Sequence, residues 1–337
     1  MKKSAKSIVQ FVLLLSFGIL MIWLSLKSVA PYKNDVINAF KGANYVWVII
    51  SLIISMFSHF LRAYRWNYLL NPLGHKVGLL NSNCYVFVCY FANYGIPRMG
   101  EISRCTLAAK YDKVPFEVAL GTVITERIVD TLVFVVISVL TLFLQFSNLI
   151  GMANKYIFDP AAEKFNDLSQ NPVKLTIIIA IVVILVGGFL FFRKRMANLF
   201  KGKFGNIIKG FGEGIGSVRK MEKPFMFVLL SFLIWASYFY SLYFCFLALK
   251  GTEGLGQSEA LTLLLFGTFA VIFSPGGLGV YPVIFQAILV STYAIDEVSA
   301  FALPWLSWGS QFVLLVVLGV ISLIVLPIIN RNKDVVS

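Results

Sequence analysis

Charge is scarce in this chain. Lys, Arg, Asp and Glu together make up 13% of its 337 residues, against about 25% in ordinary globular proteins. Hydrophobic residues fill 58%, and the mean hydropathy is +0.82. That balance excludes a soluble enzyme and a disordered tail protein. Apolar runs without alternation exclude a β-barrel. Cysteine is nearly absent: Cys84, Cys89, Cys105 and Cys245 include no CxxC pair. Neither a disulfide framework nor a zinc site follows from them, and buried packing is their expected role. His59 and His75 are the only histidines and stand apart from any ligand cluster, so neither is given a metal or catalytic role. No GxSxG or HExxH is present, and no Walker lysine follows a glycine-rich loop. The expectation is no catalytic residue, no metal and no cofactor.

What the chain does have is apolar runs, at 8–26, 46–61, 79–96, 118–146, 173–192, 224–249, 260–274, 281–295 and 299–329. Several approach or exceed the about 20 residues that cross a bilayer as a helix. They define an all-α polytopic membrane protein, a single transmembrane domain over 1–337. The first run follows Lys2, Lys3 and Lys6 and is 19 residues long, beyond the about 7–15 of a cleaved signal. A retained first helix is expected, although Ser28-Val29-Ala30 faintly resembles a cleavage site. The net charge of +13 comes from basic residues in short segments between the runs. Such residues collect on cytoplasmic loops and face anionic lipid. Nothing resembles a nucleic-acid module.

The basic residues also choose the topology. If 79–96 crosses and 260–295 crosses once as a unit, eight spans place 11 inside and 16 outside. If 79–113 and 260–295 dip in and return, six spans remain with both termini inside. Then 21 lie inside, nine of them in 193–223, and six outside. About six full spans plus two re-entrant helical hairpins are therefore expected, with 98–117 counted as an inside loop.

The dips break at Asn93-Tyr94-Gly95-Ile96-Pro97-Arg98-Met99-Gly100-Glu101 and at Ser274-Pro275-Gly276-Gly277-Leu278-Gly279. Pro and Gly interrupt helices. Broken backbone at membrane depth survives only in protein or beside a polar cavity. Ordinary loops between short spans are the alternative. On the hairpin reading, half 1 (8–146) and half 2 (173–329) both run span, span, hairpin, span, in opposite orientations. That is the pattern of an inverted repeat with a midplane site. Between the spans of half 2, Phe200, Phe204, Ile207, Ile208, Phe211, Ile215 and Val218 recur at helical spacing. Segment 193–223 reads as a cytoplasmic amphipathic linker on the leaflet, or as a helix packed under the bundle.

Charges inside apolar segments supply the candidate site. Glu126, Arg127 and Asp130 precede 16 apolar residues ending at Phe146. That is about 24 Å against a core of about 30 Å, so the triad sits at or just inside the boundary. Glu126 and Asp130 share a face, and Arg127 can pair with Asp130. The triad is either a structural ion pair or part of a site. Arg98, Glu101 and Arg104 flank the first break. A buried Arg98–Arg104 pair, countered by Glu101 or by Glu126 and Asp130, suits the phosphate of an anionic lipid head group; a positive-inside loop is the alternative. Arg62, Arg65 and Trp66 end the second apolar run. They read as snorkelling cations with an interfacial Trp, or as a lipid phosphate contact.

The motifs Arg62-x-x-Arg65-Trp66, Asn93…Pro97-Arg98-x-Gly100-Glu101-x-x-Arg104, Glu126-Arg127-x-x-Asp130 and Pro275-Gly276-Gly277-x-Gly279 occur in that order. Through most of its length the chain resembles the transmembrane flippase-type domain of lysylphosphatidylglycerol synthases and their stand-alone relatives. The soluble aminoacyl-transferase domain of the fused members is absent from these residues, so the resemblance implies lipid translocation rather than synthesis. Family members often carry an acidic residue soon after the second turn; this chain has Tyr281-Pro282. The expected function is a flippase or scramblase for an anionic or aminoacylated phospholipid or another lipid-linked molecule. The head group would enter between the two dips: Arg98 and Arg104, beside Asn93, Pro97 and Glu101, would hold its phosphate, Glu126 and Asp130 would balance those charges or meet a cationic head group, and Pro275, Gly276, Gly277 and Gly279, after Ser274, would line the opposite gate. A membrane-embedded transferase, or an accessory subunit of a lipid-modifying enzyme, is the rival reading. The expected partners are membrane phospholipid and such an enzyme, with an oligomer left open. The expected location is a bacterial cytoplasmic membrane, with both termini cytoplasmic.

Overall fold

The computed structural model describes residues 16–96, 98–154, 158–160, 162–163 and 223–331. Residues 8–15 of the first run, Pro97, the expected span 173–192 and residues 193–222 of the expected linker lie outside them. All regular elements among the described residues are helical. One unit combines the chain up to Leu144 with the chain from Lys220; residues 145–219 form another. The second is described chiefly by one short helix.

The larger unit opens with α1 (Ser16–Ser28) and α2 (Lys33–Gly42). α3 (Tyr45–Leu70) follows, capped by Asn44, whose side-chain oxygen accepts from the Val46 N–H at 3.2 Å. Then come α4 (Leu79–Gly95), α5 (Met99–Asp112) and α6 (Phe116–Leu144). The smaller unit contains α7 (Phe146–Ala153). The larger unit resumes with α8 (Pro224–Phe246), α9 (Gln257–Phe273) and α10 (Val280–Tyr293). α11 (Glu297–Pro304) and α12 (Ser310–Ile329) are joined by a π turn at Trp305–Gly309.

α3, α6, α8 and the joined α11–α12 are long and apolar enough to cross a bilayer. They coincide with four of the expected spans. α3 runs to Leu70, past the expected end at 61, because Arg62, Arg65 and Trp66 are buried against other helices. Its faces are reversed relative to a soluble helix: Ile49, Ile53 and Phe57 are more than half exposed, while Ser51, Ser55 and Ser58 are buried. Lipid rewards that arrangement, because polar side chains must turn toward the bundle interior.

α4, α5, α9 and α10 have 17, 14, 17 and 14 residues. At about 1.5 Å per residue each is shorter than a hydrocarbon core of about 30 Å. They fold as two hairpins. Near the start of α4, Asn81 Nδ2 and Tyr85 OH both donate to Asp112 Oδ2 at the end of α5, at 2.9 and 2.7 Å. At the tip, the Gly100 N–H donates to Asn93 Oδ1 at 2.8 Å. The limbs approach so closely there that a Cβ on Gly100 would overlap the Cys89 carbonyl oxygen. Residues 99–112, counted above as an inside loop, are therefore the returning limb, with Gly100, Arg104, Cys105, Ala108 and Tyr111 buried. The physical reason is that this limb has an apolar face which α4 covers. In the second hairpin, Gly267 of α9 lies against Tyr281 and Phe285 of α10.

The two tips meet. Tyr94 lies against Gly276, and Trp308 Nε1 donates to the Gly276 carbonyl at 2.8 Å. Gly279, at φ +70, abuts the backbone of Gly18 in α1. A cavity of about 520 Å³ opens beside this junction, lined by Phe91, Tyr94, Ile96, Met99, Leu278 and Phe312 among others. α12 runs back along α4: Gly319 touches Phe91, and Asn330 exchanges two 3.0 Å amide bonds with Asn81. The four cysteines are free and buried.

The Gly100 approach is testable. Gly100→Ala should cost about 1–3 kcal/mol through overpacking and lower the thermal midpoint in detergent. Gly95→Ala, whose Cβ meets nothing within 4 Å, should leave it unchanged.

Candidate functional site

The buried face of α3 carries Ser51, Ser55, Ser58, Arg62 and Arg65 at steps of four and three. That spacing stacks side chains on one helical face. α6 offers Glu126 and Asp130, also one turn apart and buried. α3 and α6 contact one another, and α8 packs along both. The charged rows meet between them.

Arg62 Nη1 and Arg65 Nη1 each donate to a different oxygen of Asp130 at 2.7 Å. Arg65 Nη2 reaches Glu126 Oε1 at 3.4 Å, and Arg104 Nη1 of α5 donates to Glu126 Oε2 at 2.7 Å. Arg65 also donates to Ser231 Oγ at 2.7 Å, and Arg62 to Tyr238 OH at 3.2 Å, both on α8. Tyr238 OH in turn shares a 3.1 Å hydrogen bond with Tyr90 OH of α4. One network thus ties together α3, α4, α5, α6 and α8. Arg65 and Glu126 are 0% exposed and Arg104 1%. Three guanidinium groups face two carboxylates, leaving one positive charge in excess within the network. Among the described residues, Arg104 Nε and Nη2, Arg62 Nε and Arg65 Nε have no hydrogen-bond partner.

Trp66 braces this arrangement. Its Nε1 donates to Thr122 Oγ1 at 2.9 Å. The Arg104 guanidinium lies 3.9 Å from its ring centroid, in cation–π range. Asn93 acts at a distance: by accepting from Gly100 it fixes the start of the helix that carries Arg104.

Several expectations change. Arg62 and Arg65 do not snorkel, and Trp66 is not interfacial; all three are buried, and carboxylates on α6 and two hydroxyls on α8 meet the guanidinium groups there. Arg127 does not pair with Asp130, whose oxygens Arg62 and Arg65 occupy. Arg127 lies 3.9 Å from Glu101 Oε1, at side-chain exposures of 42% and 21%. Arg98 does not join Arg104. It is exposed at the tip of the first hairpin with φ +66, while Arg104 sits six residues, or about 9 Å, down the limb. Pro97 lies outside the described residues. Ser274, Pro275, Gly276, Gly277 and Gly279 form the second tip, where Gly276 meets Tyr94 and Trp308. The candidate residues therefore divide between a charge network and a tip junction. Tyr90, Ser231, Tyr238 and His59 were missed. The three- and four-residue spacing of polar residues in 51–65 was the signal for His59, which neighbours Ser58; hydroxyls within apolar runs gave little for the others.

The burial has an energetic consequence. Removing one partner of a buried ion pair strands the other and costs about 3–5 kcal/mol. Asp130→Asn should fall in that range in denaturant unfolding, since it weakens two 2.7 Å contacts. Glu101→Gln, at a half-exposed and loose pair, should cost below about 1 kcal/mol.

The model of the lysylphosphatidylglycerol synthase TM region matches residues 8–319. UPF0104 membrane protein MJ1078 of Methanocaldococcus jannaschii is 27% identical over 255 residues, covering 72% of this chain and 95% of that protein. UPF0104 membrane protein MJ1595 of the same organism is 27% identical over 104 residues, covering 30% of this chain and 31% of that protein. The matched part thus spans under a third of MJ1595. No solved structure matches. With helices that can cross a bilayer and a family model covering most of its length, the chain is an integral membrane protein that belongs to the lysylphosphatidylglycerol synthase TM region family.

Proposed function

We propose that the protein moves a phosphate-bearing lipid between membrane leaflets. The observation that carries this reading is the uncompensated guanidinium charge in the network of Arg62, Arg65, Arg104, Glu126 and Asp130. A phosphate oxygen is the natural acceptor for the free Nε and Nη2 of Arg104, because the guanidinium fork matches phosphate geometry and stays charged. The tip junction supports the same reading. Two hairpins broken at corresponding places, meeting beside an apolar cavity, fit gating of one repeat against the other. The head group would sit at the arginines and the acyl chains beside the lipid-facing helices. Basic segments orient the protein with both termini in the cytoplasm.

The family's name joins this region to a synthase, which favours a separate lipid-modifying enzyme as the partner that supplies the lipid. Product analysis separates that arrangement from a transferase within this chain: a transferase makes a new lipid, whereas a translocator only redistributes one.

The central test is leaflet exchange in liposomes with labelled phosphatidylglycerol or phosphatidylcholine. Purified protein should accelerate exchange of the anionic lipid above empty vesicles. Arg104→Lys keeps the charge but loses the fork, and should slow exchange about tenfold, the factor that corresponds to about 1.4 kcal/mol of a charge-assisted hydrogen bond. Exchange no faster than in empty vesicles overturns the proposal.

A further inference from the structure

His59 is 3% exposed, and neither ring nitrogen has a hydrogen-bond partner among the described residues. A buried polar group without a partner calls for an explanation, and an imidazole carries both a donor and an acceptor. The ring lies 4.5 Å from that of Tyr90, edge-on to Phe87 at 6.2 Å, and 6.5 Å from Tyr238, centroid to centroid. The charged and titratable groups facing it are Arg62 from its own helix, Tyr90 from α4 and Tyr238 from α8; Asp130 of α6 acts through Arg62. α12, which also packs on α3, brings no titratable side chain. His59 thus ends the chain Asp130–Arg62–Tyr238–Tyr90. Beyond it, along the same face of α3, lie Ser58, Ser55 with an unpartnered Oγ, and Ser51, whose hydroxyl pairs with Ser241 at 3.0 Å. Gln311 extends that group at 3.3 Å from the Ser241 hydroxyl. From Arg65 to Ser51 this polar seam is about 21 Å long.

We infer that His59 is a proton-binding site coupled to the anion site at the arginines, so that the protein carries its anionic lipid together with a proton. This rests on the translocation reading above. The chemistry is simple: a proton from water on one side adds to the lone pair of a ring nitrogen and returns to water on the other, and no other bond forms or breaks. Sign supplies the coupling. The compartment already holds one excess positive charge. An imidazolium adds a second, and a phosphate at Arg62 and Arg104 cancels one. Each ligand therefore eases the entry of the other, by the same factor in both directions. Among side chains, imidazole is the one whose unperturbed form gains and loses a proton between about pH 5 and 8.

Two measurements test the inference. Histidine labelled with nitrogen-15 gives ring signals from only two residues, and His75→Gln assigns them. In phosphatidylglycerol nanodiscs at pH 6.5, the imidazolium fraction of His59 should be at least twice that in phosphatidylcholine. That rise should exceed the one at His75, which reports the general surface effect, and should shrink in Arg104→Lys. Equal fractions in the two lipids overturn the inference, whether or not the lipid is moved. In proteoliposomes, a pH gradient of one unit should accelerate labelled phosphatidylglycerol exchange at least threefold. In His59→Gln the exchange rates with and without the gradient should be equal. Gradient-insensitive exchange by the unaltered protein also overturns the inference. Lipid-linked protonation without any exchange keeps the proton–anion site and overturns translocation instead.

Discussion

A guanidinium group inside an apolar bundle has to be met by a carboxylate, and in this protein that requirement decides which helices are neighbours. Asp130 receives Arg62 and Arg65 at 2.7 Å each, and Glu126 receives Arg104 at the same distance. Those contacts fix α6 against α3 and draw the returning limb of the first hairpin onto both. Apolar packing alone would not specify this register, because lipid tails satisfy a leucine as well as another helix does. Ser231 and Tyr238 then place α8. The network acts as an address for five elements, and the apolar surface of each is free to face lipid.

The hairpins depend on a different constraint. Limbs of 14 and 17 residues fold back on one another, and the backbone groups that each turn exposes need partners. Asn93 supplies one at the first tip by accepting the Gly100 N–H. Trp308 does so at the second by donating to the Gly276 carbonyl. The π turn that separates α11 from α12 holds Trp308, so an irregularity in one crossing helix serves a turn in another. Arg104 reaches Glu126 only because the first tip turns where Asn93 and Gly100 set it.

Much of this was readable from the chain. Apolar runs gave α4, α6, α8, α9, α10 and the joined α11–α12 to within a few residues but stopped short on α3 and missed α2 and α5, and Gly and Pro in the two dips located both tips. The Lys and Arg count favoured hairpins over crossings, and residues 79–112 and 257–293 do fold back on themselves. The pairing pattern was not readable. Arg62 and Arg65 end an apolar run, and within their own helix nothing distinguishes a snorkelling cation from a buried one; the distinction lies in Asp130, 65 residues beyond Arg65. Arg127 was placed with Asp130 because local spacing permits it, but competition with two arginines on a facing helix is a tertiary fact. Arg98 and Arg104 look alike in sequence. The turn leaves the first in the open and carries the second inward.

Stability by itself does not account for the network. Replacing a buried ion pair with well-fitted apolar side chains is often neutral or favourable, so five buried charges are a poor way merely to hold helices together. An odd number is poorer still, since the excess positive charge carries a desolvation cost that two carboxylates shared among three guanidinium groups offset only in part. Symmetric pairing would have removed that cost with one more carboxylate. The fold instead leaves free N–H groups on Arg104 beside the excess charge, in an interior where the proposed anion would complete the balance. Occupancy by such an anion would therefore stabilise the bundle as well as fill the site, and the helices that bind it are the same ones that the charges hold in register.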